Sequence, residues 1–311
     1  MSVASFIPEL WAAKLLEKYD ENLVYTQPSV ANRDYEGEIA NQGDTVHINQ
    51  IGDPDVRTYD RSQDITFDDL GTTDQELKID QGDYFAFYVN DVDKVQAKGE
   101  LGGPALTRAS LQLRRKSDTF AGGLLKAGAH ADNKLGRQKI VSGGTQMAGA
   151  GQITAYDVLV ELGLKLDDQD APEEGRYVVV DPGFIAAVAK DDRFMRVDAS
   201  GNSDVRRNGV VYRAAGFDIM RTTAVPTLGG SGAGKDDKVL IAGVPGAFTF
   251  ANQILKTEAG RREKGFDDFV KGLNVYGAKV TIPEGIATAT VEAYEPGTGS
   301  QMVVMAGSPT P

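Results

Sequence analysis

The 311 residues carry 45 acidic and 33 basic side chains, a formal net charge of −12, with 41% hydrophobic and 25% charged residues. That balance belongs to a folded chain rather than a disordered polymer, and its acidity argues against a general affinity for nucleic acid. The absence of cysteine excludes disulfides, thiolate nucleophiles and sulfur-ligated zinc, and fits synthesis in a reducing cytoplasm.

The opening MSVASFIPELW lacks a basic region followed by an apolar core, so no secretion leader is expected. A short amphipathic helix is predicted instead. Pro8 suits its first turn, and Trp11, Leu15 and Tyr19 recur at four-residue spacing on one face. That face either packs on its own domain or docks onto a neighbouring subunit. From Glu36 to Val89 the pattern changes to strands. TVHINQI alternates at Val46 and Ile48, ELKID alternates at Leu77 and Ile79, and YFAFYV follows an expected turn at Gln81-Gly82-Asp83. Between them GDPDVRTYDRSQD is polar and turn-rich, so the segment reads as a long two-stranded arm without a core of its own. Trp11, Leu15 and Tyr19 of the helix, with Val46, Ile48, Ile51, Arg57, Tyr59 and Phe67 of the arm, are the candidate inter-subunit contacts.

A long helix follows. Asp91 or Asp93 could cap it, and after Gly102-Gly103-Pro104 its apolar face is predicted at Leu106, Ala109, Leu113, Phe120 and Leu124. Its basic triplet Arg114-Arg115-Lys116 reads as a solvated face, or as a contact for an acidic partner or packaged nucleic acid. VSGGTQMAGAGQ, residues 141–152, reads as a linker. Beyond it ITAYDVLVELGLKL is a helix, RYVVVD a buried strand and PGFIAAVAK a proline-started helix. NGVVYRAAGFDIMRTTAVP and KVLIAGVPGAF then read as strands of a mixed α/β domain. GFDDFVKGLNVYGAKVTIP gives two strand-like runs with a turn near Lys271-Gly272, and the tail after Pro296 is expected to be loosely held.

Chemistry is tested first at GGSGAGKDD, residues 229–237, which nearly matches a phosphate-binding glycine loop. Such a loop needs a helix after it and Ser or Thr after its lysine, because the helix N-terminus holds the phosphates and the hydroxyl holds magnesium. Here Asp236 and Asp237 follow Lys235, and KVLIAGV is β-prone. A connection between two strands is the expected reading. His47 and His130 lie far apart and form no metal pattern; the acidic run Asp167, Asp168, Asp170, Glu173, Glu174 lacks the spacing of a calcium loop. No G-x-S-x-G elbow occurs. Neither a catalytic site, a cofactor nor a metal is expected.

The order of these elements resembles the major capsid proteins of tailed bacteriophages, which share the Hong Kong 97 phage fold. IPELWAAKLLEKYDENLVYTQPSVANRDYEGEIANQGDTVHI is similar to that family's N-arm entering its extended loop, and DITFDDLGTTDQELKIDQGDYFAFYVNDVDKVQA to the loop's return. NGVVYRAAGFDIMRTTAVP resembles a family segment through Gly209, Gly216, Phe217 and Pro226, with Tyr212 in place of its middle glycine; VKGLNVYGAKVTIPE resembles the final strand pair. The resemblance implies an α+β capsid fold. Its parts would be an N-terminal arm (1–35), an extended β-hairpin loop (36–90), a peripheral domain with a spine helix (91–150 and 259–290), an axial domain (153–258) and a C-terminal tail (291–311).

It further implies hexamers and pentamers closing an icosahedral shell around double-stranded DNA, assembled in the host cytoplasm. The expected partners are further copies of the chain, a separate scaffolding protein, a portal and a decoration protein; no membrane is involved. Some relatives weld subunits through a lysine–asparagine bond at the extended loop. Here no lysine lies between Lys18 and Lys78, so a non-covalent shell is expected. The alternatives are an encapsulin-like nanocompartment shell and, more remotely, a nucleotide-binding α/β enzyme using residues 229–235.

Overall fold

The computed structural model describes residues 24–35, 45–51, 56–58, 72–90, 102–140, 152–189, 213–231, 234–261 and 267–292. In chain order its elements begin with Thr45–Ile51 (β1), Thr72–Lys78 (β2), Gln81–Asn90 (β3), Gly102–Gly128 (α1), Lys134–Ile140 (β4) and Gln152–Ile153 (β5). Ala155–Asp167 (α2), Tyr177–Val180 (β6), Pro182–Ala189 (α3), Arg213–Ala214 (β7), Phe217–Arg221 (β8) and Lys238–Gly243 (β9) follow. Phe248–Arg261 (β10), Asp267–Val280 (β11) and Ile286–Val291 (β12) complete the series. The chain divides into two compact units, one holding residues 32–114 and 248–281, the other residues 24–31, 115–247 and those from 282 onward.

In the first unit β1 and β2 pair antiparallel, with Val46 directly opposite Leu77. β3 does not extend this hairpin. It joins a separate three-stranded antiparallel sheet in the order β10-β11-β3. The expected turn at Gln81-Gly82-Asp83 is therefore strand; the chain changes sheets at Ile79-Asp80, where Ile79 is fully buried. The arm is also not coreless at its base. Val46, Leu77 and Ile79 form one apolar cluster with Ala251 and Val275 of the sheet, with Ile48 and Leu273 packed against it. Gly277 permits this approach, because a Cβ there would collide with the carbonyl oxygen of Lys78.

A second correction falls on Lys271-Gly272, where a turn was expected and β11 instead runs unbroken for 14 residues. Gly272 sits opposite Phe85 of β3, and a Cβ on it would come within 2.5 Å of that ring. The glycine makes room for an aromatic neighbour rather than for a reversal.

The second unit is built on a seven-stranded mixed sheet in the order β5-β4-β12-β9-β6-β8-β7. β5, part of the expected linker at its last residue Gln152, pairs parallel with β4. One face of the sheet, through Val178, Val180, Leu240, Ala242, Ala287 and Ala289, packs on α2 and α3. Both helices carry legible starts. Thr154 Oγ1 accepts from the Asp157 amide and donates to the Asp157 carboxylate, a reciprocal cap, while the Asp181 carboxylate accepts from the Gly183 and Phe184 amides ahead of Pro182. Val158, Leu159, Leu162 and Leu166 then fall on the buried side of α2 at helical spacing.

α1 spans 27 residues from Gly102, with Pro104 in its first turn, and the cap candidates Asp91 and Asp93 lie outside the described residues. Its buried face is shifted from the one predicted. Leu106 and Leu113 are buried, but further along Ala121 and Leu125 are fully buried while Phe120 and Leu124 are only half-buried. Small residues explain the shift: the Tyr25 ring lies against Gly122, where a Cβ would meet it at 3.1 Å.

Candidate assembly surfaces

The glycine-rich loop can be judged from its own hydrogen bonds. Gly229, Gly230 and Gly234 have φ of 75°, 87° and 88°, conformations that disfavour other residues. The Leu228 amide donates to the Asp237 carbonyl, the Gly229 amide to the Lys235 carbonyl and the Asp237 amide to the Gly234 carbonyl. Lys126 Nζ donates to the Thr227 and Leu228 carbonyls at 2.9 and 2.8 Å. Asp237 is buried and accepts from Arg137 Nε, and the same guanidinium reaches Glu292 at 3.6 Å. Among the described residues of the loop, the Leu228, Gly229 and Asp237 amides are used internally, Lys126 and Arg137 brace it, and strand β9 follows it instead of a helix. It leads into a strand, as its sequence suggested, but the flexible connection expected there is braced by these bonds, and among the described residues no helix N-terminus is presented to a phosphate.

The other charged features are local as well. His47 Nδ1 lies 2.8 Å from Asp74 across the β1–β2 ladder, with both side chains more than half exposed. In the acidic run, Asp167 pairs with Arg176 at 2.7 Å, and Arg176 also donates to the Ala171 and Pro172 carbonyls. This closes the turn after α2. Among the described residues no group of three or more His, Asp or Glu side chains is placed to hold a metal ion, and no helix is long and apolar enough to cross a membrane.

Two buried phenols stand out in the second unit. Burial raises the pKa of Tyr177, and raises that of Tyr25 with a further contribution from the nearby Asp118 carboxylate. The Asp118 carboxylate also accepts from the Val24 amide, which ties residues 24–31 to α1.

The candidate contact residues separate by location. Trp11, Leu15, Tyr19, Tyr59 and Phe67 lie outside the described residues. Ile51 ends β1 opposite Thr72, and Arg57 is exposed. Val46, expected at a subunit contact, is only 5% exposed and already packed on its own chain, with Ile48 partly buried beside it. The physical reason is the crossing at Gly277, which brings the hairpin base onto the sheet.

A surface that had not been singled out lies on β3. Tyr84 and Tyr88 are 77% and 64% exposed on one face of the strand, while Phe85 and Phe87 on the other are half-buried and stacked at 6.1 Å. On the tyrosine face, Leu273 and Phe269 of β11 stand opposite Tyr84 and Tyr88. The signal was present in YFAFYV, where tyrosine and phenylalanine alternate. α2 also exposes Val160 and Leu164 opposite its buried stripe.

Apolar side chains thus stand exposed on two ordered elements, Tyr84 and Tyr88 on β3 and Val160 and Leu164 on α2, as surfaces for contact. Comparisons with known proteins agree. The family model described as "Phage capsid protein" matches residues 72–289, more than half of the chain, and the chain belongs to that family. A chain from Mycobacterium phage Che8 superposes with a TM-score of 0.66 at 27% identity, over 86% of this chain and 91% of that one. The capsid of the cyanophage P-SCSP1u gives 0.65 at 17% identity, over 82% and 85%. The capsid of Ralstonia phage GP4 gives 0.63 at 13%, over 89% and 91%. A search of curated proteins by sequence finds no match. The mixed helix-and-sheet fold is that of tailed-phage major capsid proteins, and the chain is a coat protein of the virion shell.

Proposed function

We propose that copies of this chain gather as hexamers and pentamers and close an icosahedral shell around double-stranded phage DNA. The observation that carries this reading is the family match over residues 72–289, joined to ordered elements that leave aromatic surface uncovered in a single copy. Residues 1–35 act as the N-terminal arm and 36–90 as the extended loop. Residues 91–150 with 259–290 form the peripheral domain, 153–258 the axial domain and 291–311 the tail. Trp11, Leu15, Tyr19, Ile51, Arg57, Tyr59 and Phe67 are contact residues between copies, and the exposed Tyr84 and Tyr88 join them, since tyrosine is enriched where protein surfaces meet. Val46 and Ile48 support the hairpin base from within.

The shell is non-covalent, because the loop tip has no lysine to supply an amine. Modest contacts repeated around closed symmetry still produce a stable particle. With a net charge of −12, the chain contains DNA without gripping it, so release is not opposed by salt-dependent phosphate contacts. A scaffolding protein, a portal and a decoration protein complete the assembly in the host cytoplasm, and the role is structural rather than catalytic.

Negative-stain microscopy with light scattering, on the protein expressed alone and with its genomic neighbours, tests the reading. Closed shells, tubes, or rings of five and six are expected, with a single 33.3 kDa band on a denaturing gel. A persistent monomer under both conditions would remove the proposal. A ladder of linked subunits would remove its non-covalent part, and particles filled with a cargo protein instead of DNA would favour the nanocompartment.

A further inference from the structure

The three-stranded sheet carries an unusual layer on the face opposite its contact with the hairpin. Asn274 of β11 stands opposite Asp83 of β3, Tyr276 lies two residues further along β11, and Asn252 of β10 stands opposite Tyr276. Cross-strand partners and alternate residues share a face, so all four side chains lie on one side of the sheet. The apolar residues Ala251 and Val275 face the hairpin cluster on the other side. The polar layer is buried nonetheless: Asn274 is 1% exposed, Asp83 7% and Asn252 9%.

Its hydrogen bonding is incomplete within the protein. The Tyr276 hydroxyl donates to Asp83 Oδ2 at 2.8 Å. Neither Oδ1 nor Nδ2 of Asn274 has a hydrogen-bond partner, and Oδ1 of Asn252 has none. The β10–β11 register shifts between Ile254 and Lys256, and Ile254 is the cross-strand partner of Asn274. The regular ladder is therefore interrupted beside the unpaired amide. Buried amides are almost always paired, and leaving both atoms of one unmade is more costly than losing a single surface hydrogen bond.

We propose that this layer is a built hydration site, in which ordered water bridges the Asn274 amide, the Asn252 carbonyl and the Asp83–Tyr276 pair. Water suits the chemistry because Asn274 requires an acceptor and a donor together, and a water molecule supplies both. A cation would answer only the oxygens, and the layer offers a single carboxylate, whereas calcium sites usually combine several. The site adds a structural ligand to the coat protein and does not depend on what the shell encloses.

The test combines an experimental structure of the full-length protein, at a resolution that shows water, with thermal unfolding of variants. Density within hydrogen-bonding distance of both Asn274 amide atoms is expected, with an unfolding temperature unchanged by chelator or by added sodium, potassium, magnesium or calcium. Asn274→Leu should expel the water and lower the unfolding temperature by about 2–6 °C. Asn274→Ser, which keeps a hydroxyl and leaves room for a further water, should fall between the two and covers the case in which the leucine variant does not fold. A dry layer whose leucine variant is more stable than the parent would overturn the proposal. So would a density peak whose loss on chelation lowers the unfolding temperature, since that would make the ligand a cation.

Discussion

The two units solve the problem of burial differently. In the second, α2 and α3 lie on a seven-stranded sheet through an almost wholly apolar contact, from Val158 and Leu162 to Phe184, Leu240 and Ala287. In the first, the described apolar cluster at the hairpin base has five buried members, Asp83, Asn252 and Asn274 interrupt the apolar residues on the opposite face of the sheet, and two tyrosines are largely exposed. The second unit has the packing of a domain that folds on its own account, since hydrophobic burial is the main favourable contribution to folding. Under the proposed assembly, neighbouring copies cover what the first unit leaves exposed. A shell protein needs both, a firm body and an extended part that remains open to contact.

The contrast should appear most strongly in Phe184→Ala. Phe184 is 1% exposed in the apolar cluster, and its loss should cost about 3–5 kcal/mol and yield insoluble or unfolded protein. Circular dichroism and the soluble fraction would show it; a soluble, normally melting variant would mean that this unit is less dependent on its core than argued. Gly277→Ala ranks next. The added methyl meets the backbone oxygen of Lys78, so residues 78–79 must move away, at roughly 1–3 kcal/mol. Here the second unit should remain folded while protease cleavage increases near the hairpin base. Equal loss of both units would instead show them to be one cooperative body.

Alkaline pH provides a smaller and more selective probe. Tyr25 and Tyr177 have their pKa raised by burial above the ordinary 10.0, so the folded state holds their protons longer than the unfolded state does. Stability from these two groups is complete below about pH 10 and falls as pH rises toward the folded values. Unfolding followed from pH 9 to 12 should therefore steepen above 10, and Tyr177→Phe should reduce that slope. Because the Tyr177 hydroxyl is buried without a hydrogen-bond partner, the same variant should be neutral or slightly stabilised at pH 7.

What could be read in advance follows the same division. The proline start of α3 and the apolar runs of β6 and β9 are local signals whose outcome depends on few distant residues, and the structure uses them as expected, while the Thr154 and Asp181 caps are local signals that the sequence reading passed over. Gly272 and Gly277 were ambiguous, because a glycine that allows a turn and one that admits a neighbour look identical until the neighbour is known. Phe85 and Lys78 are those neighbours, and each comes from another strand. Val46 shows the same limit: alternation marks an apolar side but not whether the chain itself or another copy will cover it. The Asn274 layer had no signal at all, since its members come from three strands that are adjacent only after folding.

The double change Tyr84→Ser, Tyr88→Ser is expected to have the least effect on the subunit and to reveal most about the shell. Both side chains are largely exposed, so the isolated protein should lose no more than about 0.5 kcal/mol. If copies meet on this face, however, removing two aromatic rings takes away contact area that every subunit contributes, and the loss recurs at each contact around the particle. Assembly should then need a several-fold higher protein concentration, or stop at rings and open sheets, while the melting of the free subunit barely changes. A variant that assembles like the parent would place the contacts elsewhere, on the exposed Val160 and Leu164 of α2 or on the arm. One that melts early would show that the tyrosines support the fold of β3 instead, and that the first unit is less open than its exposed surface suggests.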